Sequence, residues 1–151
     1  MAGISRTGLT AGGLVAGVVL LATGAVFGSL VVLPEAAARF GDSYTPSPAV
    51  PLLSRLALGF VIVWVYAGFR PRYGVGSRSV LAAGVATWVA WAFAVVSVAA
   101  IAPIASPLTV ALIVVWGLIE IVAASYAGGA VYRSRAAARV RRKGRSVRLD
   151  V

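Results

Sequence analysis

The sequence predicts an all-α membrane protein, an up-and-down antiparallel bundle of four transmembrane helices with the N- and C-termini in the cytoplasm. Three observations support this fold class. Hydrophobic residues make up 60% of the 151 residues and charged residues only 12%, and the mean hydropathy of +0.95 is outside the range of soluble domains. Four apolar segments are each long enough to cross a hydrocarbon core of about 30 Å. Basic residues are concentrated on one side of these segments.

Four segments carry the predicted membrane spans, at residues 9–33, 52–69, 79–101 and 108–131. They predict one transmembrane domain over residues 1–132, with an outer loop at residues 34–51, followed by a basic cytoplasmic tail over residues 133–151. A signal peptide is a competing interpretation of the first segment. That segment has 25 residues, however, and a typical signal sequence has an apolar run of about 7–15, so we expect a membrane span.

Prolines mark the two outer connections. Pro34 is expected to end the first span, and the i,i+4 spacing of Glu35 and Arg39 predicts a short helical extension after it. In the second connection, Ser106 can cap the fourth span, with Pro107 in the first helical turn. The short length of that connection predicts a tight hairpin between the third and fourth spans.

Basic residues are distributed unequally between the two sides of the predicted membrane. One side receives 12, namely Arg6, Arg70, Arg72, Arg78 and the eight basic residues of the tail, and the other receives Arg39 and Arg55. Because Lys and Arg near the ends of spans are retained in the cytoplasm, both termini are predicted to be cytoplasmic. The basic residues are almost all Arg, which indicates a GC-rich bacterial genome, so the predicted location is the bacterial inner membrane.

The composition removes most enzyme chemistry. The chain has no Cys and no His, which excludes thiolate nucleophiles, the usual zinc and haem ligands and the Ser-His-Asp triad. We therefore predict no catalytic residue, no metal site and no cofactor, and we expect that the protein is not an enzyme.

Small residues recur on single faces of three predicted helices. At 100° per residue they fall within narrow arcs, and in lipid such residues permit close approach of helix backbones. The predicted packing residues are Gly13, Gly17, Gly24 and Gly28 in the first span, Ala83, Ala90 and Ala94 in the third, and Gly117, Ala124 and Gly128 in the fourth. We interpret these faces as seams within one bundle in preference to dimer motifs.

Glu120 is the residue that most strongly indicates a functional or assembly site. It is the only acidic residue inside the four segments and lies near the middle of the fourth. A carboxylate at membrane depth is costly unless it is paired or protonated. We predict that Glu120 faces the bundle interior and is hydrogen-bonded by Trp or Thr. The residues at comparable depth complete the predicted intramembrane polar site: Thr23, Trp64, Thr87, Trp88 and Trp91.

Eight basic residues occupy the tail: Arg133, Arg135, Arg139, Arg141, Arg142, Lys143, Arg145 and Arg148. The simplest interpretation is anchoring at the cytoplasmic face with contact to anionic lipid head groups. Docking onto an acidic cytoplasmic partner is the alternative. Nucleic-acid binding is disfavoured, because the tail has no aromatic residue beyond Tyr132 and no recognisable nucleic-acid-binding fold.

The chain resembles the small four-span bacterial membrane proteins that have no assigned function. The similarity is carried by Tyr66-Ala-Gly-Phe-Arg-Pro-Arg, Trp88, Trp116-Gly-Leu-Ile-Glu120 and Tyr126-Ala-Gly-Gly-Ala-Val-Tyr-Arg. It covers most of residues 9–133 and implies no activity. The chain shares its number of helices with the small multidrug-resistance transporters, but those carry their essential Glu in the first span, where this sequence has no acid.

Two functions are open at this level. The first is a non-enzymatic accessory or scaffolding subunit of a larger inner-membrane complex. Such a subunit would contact other membrane subunits, or a second copy of itself, through its small-residue faces, Glu120 and the basic tail. The alternative is an oligomeric proton- or cation-coupled transporter or channel that uses Glu120.

The orientation can be measured with reporters that are active only in the cytoplasm. We expect activity when the reporter is fused at Met1 or Val151 and none when it is inserted within residues 43–50, because the basic residues are retained inside. Reporter activity within residues 43–50, together with no activity at either terminus, would contradict the predicted orientation.

Overall fold

The computed structural model describes residues 5–41, 47–102 and 105–147, with side chains described through residue 138. Over these ranges the all-α prediction is confirmed, since every regular element is helical and no strand is present. The α-helices are α1 (Arg6–Phe27), α2 (Leu33–Phe40), α3 (Ala49–Tyr73), α4 (Ser77–Ile101) and α5 (Pro107–Val147), and a π-helical turn over Gly28–Val32 joins α1 to α2.

Four helical segments are long and apolar enough to cross a membrane: Arg6–Phe40, Ala49–Tyr73, Ser77–Ile101 and Pro107–Ala138. The protein is therefore a multi-pass membrane protein. Each of these segments is longer than the apolar run that predicted it, because polar and basic residues extend the helix beyond the length that the hydrocarbon core requires.

Local sequence signals explain where the helices begin and end. Ser5 Oγ accepts a hydrogen bond from the N–H of Gly8 at 3.2 Å, which caps α1. Ser106 Oγ accepts one from the N–H of Thr109 at 3.2 Å, which confirms the predicted cap of α5. At the end of α3, Gly74 has a φ of 79°, a left-handed conformation that glycine adopts without a steric penalty.

Pro34 changes the helix geometry of the first span without ending the helix, contrary to the prediction. It has no N–H and cannot donate to the carbonyl four residues earlier, and the π-helical turn lies directly before α2. The predicted helical extension is confirmed, and Arg39 Nε lies 3.1 Å from Glu35 Oε1. The Glu35 carboxylate also accepts a hydrogen bond from the N–H of Ser106. This contact ties α2 to the start of α5.

All four membrane-spanning segments contribute to the buried core. Its fully buried hydrophobic residues are Ala16 and Leu20 of α1, Ile62, Val63 and Tyr66 of α3, Val80 and Ala83 of α4, and Ile121 and Ala124 of α5. The buried residues of α4 all lie in its first half, Ser79–Thr87. The second half of α4 is more exposed, which is favourable in a bilayer, where apolar side chains meet lipid.

α1 approaches both α3 and α5 at the level of the backbone. A Cβ added at Gly59 would lie 2.4 Å from the Gly17 nitrogen and 2.6 Å from the Gly13 carbonyl oxygen. A Cβ added at Gly12 would lie 2.7 Å from the Gly128 carbonyl oxygen. Gly13, Gly17 and Gly128 belong to the predicted packing set, whereas Gly12 and Gly59 do not.

The remaining predicted glycines behave differently from one another. Gly24 lies against the Arg55 guanidinium, and Gly117 lies under the Trp91 ring, where an added Cβ would come within 2.1 Å of Cζ3. Within the described part of the chain, no atom lies within 4 Å of the Cβ position at Gly28. Gly28 stands where α1 passes into the π-helical turn and makes no close contact with another described helix.

The predicted stripe on α4 is only partly buried. Ala83 and Thr87 are buried, but Ala90 and Ala94 are exposed and do not pack against another helix of this chain. Both exposed alanines lie in the second half of α4, which holds none of the buried residues of that helix, so their exposure follows from their position along α4. Ala124, predicted on α5, is fully buried.

The closest backbone contact gives a stability prediction. Gly59→Ala should lower the free energy of unfolding by about 1–3 kcal/mol, because the new methyl group meets the backbone of α1. Gly68, in the same helix, is exposed, and no atom of the described residues lies within 4 Å of its Cβ position. Gly68→Ala should therefore raise stability by about 0.5–1 kcal/mol through helix propensity. Thermal unfolding in detergent measures both, and equal effects would exclude the proposed α1–α3 seam.

Candidate functional site

Glu120 lies inside the bundle, with only 1% of its surface exposed. Its carboxylate is contacted from three helices. Oε1 forms an ion pair with Nη1 of Arg55 on α3. Oε2 accepts a hydrogen bond from the indole N–H of Trp116, one turn earlier on α5, at 3.2 Å. The hydroxyl of Thr23 on α1 is 3.3 Å from the same oxygen.

The Thr23 contact is the weakest of the three. The hydroxyl has a single proton, and the Val19 carbonyl oxygen, at 2.9 Å, is closer to it than the carboxylate. Thr23 therefore divides its donor between its own helix and Glu120. Arg55 and Trp116 are the principal partners of the carboxylate.

Aromatic stacking fixes the orientation of the Trp116 indole. Phe27, the last residue of α1, stacks on it with ring centroids 5.3 Å apart and an angle of 12° between the planes. Side chains in a helix lean toward its N-terminus, so Trp116 and Glu120, at i and i+4, share one face of α5. The stacked ring holds the indole N–H against the carboxylate.

Gly24 makes room for the Arg55 guanidinium. A Cβ at this position would lie 2.7 Å from Arg55 Cζ and 2.8 Å from Nη2, so any larger residue would displace the cation. The Arg55 side chain is 24% exposed and the Glu120 side chain 1%. The two charges cancel in a region of low dielectric, where an isolated charge would be strongly disfavoured.

The structure brings some of the predicted polar residues to Glu120 and places others elsewhere. Thr23 and Trp91 lie at the site, Thr23 as a partner of the carboxylate and Trp91 in the wall of the adjoining cavity. Trp64 is 60% exposed, since α3 turns that position away from the core. Trp88 donates its indole N–H to the Val114 carbonyl oxygen at 2.9 Å. These two indoles are therefore not partners of Glu120.

Thr87 is also separate from the carboxylate. It is buried, and within the described part of the chain its hydroxyl oxygen has no hydrogen-bond partner. It is buried on α4 and is not among the residues that line the cavity beside Glu120.

Arg55 and Trp116 are partners of Glu120 that the sequence patterns above do not predict. Arg55 falls inside the predicted span 52–69, although the count of basic residues places it on the outer side. Single charges of opposite sign in two membrane spans are each costly unless they pair, and this rule would have paired Arg55 with Glu120. Trp116 stands four residues before Glu120, a spacing that places the two on one helix face.

A cavity of about 260 Å³ adjoins the ion pair. Its lining includes three aromatic side chains, Phe27, Trp91 and Trp116, together with Arg55 and Glu120. Gly24, Gly28, Val32, Pro51 and Ile113 complete the wall. The cavity is thus largely apolar, and its two charged groups are adjacent to each other. Small-molecule sites commonly combine an apolar wall with a few polar groups in this way.

The basic segment continues the fold as part of α5. The helix runs to Val147, so the region predicted as a tail is helical to that residue. Arg133 is partly buried, with Nη1 3.5 Å from the Val75 carbonyl oxygen, and Arg135 is exposed. The side chains of Arg139, Arg141, Arg142, Lys143 and Arg145 are not described, and Arg148 lies outside the described residues.

Comparisons of the chain with protein-family models, with curated proteins and with solved structures find no match.

The ion pair gives a second stability prediction. Arg55→Met should destabilise the protein by about 3–5 kcal/mol, because it leaves the Glu120 carboxylate buried without its cation. Adding Glu120→Leu to this variant removes the unpaired charge and should restore most of the loss, which a double-mutant cycle in detergent measures. The control is Arg72→Met, a change at an exposed arginine. Additive effects of the two site substitutions would show that the pair contributes no coupling.

Proposed function

We propose that this chain is a non-enzymatic accessory or scaffolding subunit of a larger assembly in a bacterial inner membrane. The observation that carries the proposal is the length of α5, which has 41 residues. At a rise of about 1.5 Å per residue this helix is about 60 Å long, twice the thickness of the hydrocarbon core. Its basic second half therefore extends beyond the membrane as a helical arm, available to an acidic partner or to lipid head groups.

The ion pair supports a structural role for Glu120. A carboxylate held by Arg55, Trp116 and Thr23 has its acceptor sites engaged within its own chain. It holds α1, α3 and α5 together and has little remaining hydrogen-bonding capacity for another subunit. In this proposal the partner contacts come from the basic arm and the outer helix faces, and Glu120 holds the bundle that presents them.

The same geometry argues against catalysis at this site. General acid–base catalysis needs a group that takes up a proton and another that releases it. The group opposite Glu120 is a guanidinium, which stays protonated in proteins and cannot accept a proton. A carboxylate paired in this way has no complementary base at the site.

The up-and-down arrangement of the spans is part of the proposal. The N–H of Ser5 donates to Tyr132 Oη at 3.3 Å, while Thr23 reaches Glu120 farther along α1. Residue numbers thus rise along α1 as they fall along α5, which supports antiparallel packing of these helices. The unequal distribution of basic residues supports cytoplasmic termini.

A proton- or cation-coupled transporter is the second candidate, and the cavity beside Glu120 is the observation that favours it. Arg55 weakens the case, because a fixed positive charge at the carboxylate repels a cation. The two candidates differ in their response to Glu120→Gln, which retains an oxygen that can accept from Arg55. Loss of a pH-dependent flux in reconstituted vesicles on this change, with partner binding intact, would favour the transporter.

The scaffolding proposal is tested by neutralising the arm in the full-length tagged chain. Replacing Arg139, Arg141, Arg142, Lys143 and Arg145 with Gln keeps helix propensity similar and leaves the basic residues nearest the membrane in place. We expect the yield of co-purifying membrane or cytoplasmic partners from mild detergent to fall about fivefold or more, since charge-assisted contacts are removed.

The matched control carries Lys at the same five positions and keeps the charge. It should retain the partner yield. Equal yields for the Gln and Lys variants would contradict docking through the arm. Loss of binding to anionic vesicles alone, with no protein partner for any variant, would assign the arm to lipid head groups and overturn the scaffolding role.

A further inference from the structure

The cavity beside the ion pair adjoins a more open groove, with which it shares part of its wall. The groove has a volume of about 670 Å³ and shares Pro51, Arg55 and Trp91 with the cavity. The rest of its lining is mainly apolar and comes from α3: Val50, Ser54, Ala57, Leu58 and Val61. A ligand could therefore enter sideways between α3 and α4, from the region that the bilayer occupies.

The charges of the cavity select for a neutral ligand. Arg55 and Glu120 cancel each other, so neither an anion nor a cation gains from entering without breaking the pair. Arg55 still has hydrogen-bonding capacity, because a guanidinium carries five N–H donors and the bond to Glu120 is made through Nη1. The accessible part of the guanidinium can donate to a carbonyl oxygen of a neutral ligand.

The aromatic wall selects for a flat head group. Phe27 and Trp116 form one stacked unit, and Trp91 lines both the cavity and the groove. Aromatic side chains of this kind gain from offset stacking with a planar ring, in addition to the burial of apolar surface. Gly117 keeps Trp91 in place, because its lack of a side chain admits the indole ring.

We propose that the cavity and groove together form a lateral binding site for an amphiphile with a neutral, planar, carbonyl-bearing head and an apolar tail, a molecule of the quinone type. The head lies in the cavity, with a carbonyl oxygen on Arg55 and its ring against Trp91 or Trp116. The tail lies in the groove along α3 and continues into the bilayer. This site does not depend on the partner interactions proposed above.

The test uses the purified full-length protein and decylubiquinone as the probe. Quinones quench tryptophan fluorescence at short range, and two of the four tryptophans line the cavity. We expect saturable quenching in the wild type. Trp91→Phe and Trp116→Phe should each reduce its amplitude, whereas Trp64→Phe should leave the saturable part unchanged because that indole is on the outer surface. Decanoate and decylamine, which share the ten-carbon tail but carry a charge, should not compete.

A cavity-filling pair of variants provides the decisive comparison. Gly28 lines the cavity and has nothing within 4 Å of its Cβ position, so Gly28→Leu adds bulk there without a backbone clash. This change should weaken binding about tenfold or more by occupying the space of the head group. Gly68→Leu adds the same side chain at an exposed position of α3, away from the cavity and the groove, and should leave binding unchanged.

Four results would overturn the proposal. Quenching that does not saturate would mean that the probe only partitions into detergent. Saturable quenching that is the same in Gly28→Leu and Gly68→Leu would place the probe outside the cavity. Displacement by decanoate would show an anion site on Arg55, and displacement by decylamine a cation site on Glu120. The unfolding temperature of each variant, measured in the same detergent, separates loss of binding from loss of fold.

Discussion

The arrangement of this protein depends on the pairing of two opposite charges inside an apolar bundle. The hydrocarbon core offers no water to solvate either Arg55 or Glu120, so each charge is stabilised only by pairing with the other. The pair joins α3 to α5, and Thr23 adds α1 to the same junction. Hydrophobic surface alone does little to fix which helices meet in lipid. A buried pair fixes the partners and the depth at which they meet.

Residues without side chains make the pairing possible. Gly12, Gly59 and Gly128 bring helix backbones into direct contact, and Gly24 leaves the space that the guanidinium occupies. A wider separation between α1 and α3 would move the Arg55 guanidinium away from Gly24. The close packing of the helices and the ion pair thus depend on each other. We expect that a larger residue at one of these glycines would separate the helices and so alter the contact between Arg55 and Glu120.

Much of this architecture is readable in the sequence, because the periodicity and length of apolar segments report directly on membrane-spanning helices. The number of membrane-spanning segments, the cap at Ser106 and the helical extension through Arg39 follow from local rules. The burial of Glu120 follows from the cost of a carboxylate in lipid. Its pairing with Arg55 joins residues 65 positions apart, so local patterns do not show it, and only the cost of unpaired charges in lipid points to it. The exposure of Ala90 and Ala94 has the same origin, since a stripe on one helix does not reveal where its neighbour ends.

The unbroken course of α5 has a consequence for any molecule that meets the basic arm. Residues 120 and 147 belong to a single helix. The direction of the arm and its rotation about the helix axis are therefore determined by the position of Glu120 in the bundle. An insertion of one residue between them would rotate the arm by about 100° relative to the bundle. A flexible tail must lose conformational entropy when it binds, whereas a preorganised arm has lost it on folding. In the proposed role, a partner of the arm would therefore have to match its shape and angle as well as its charge.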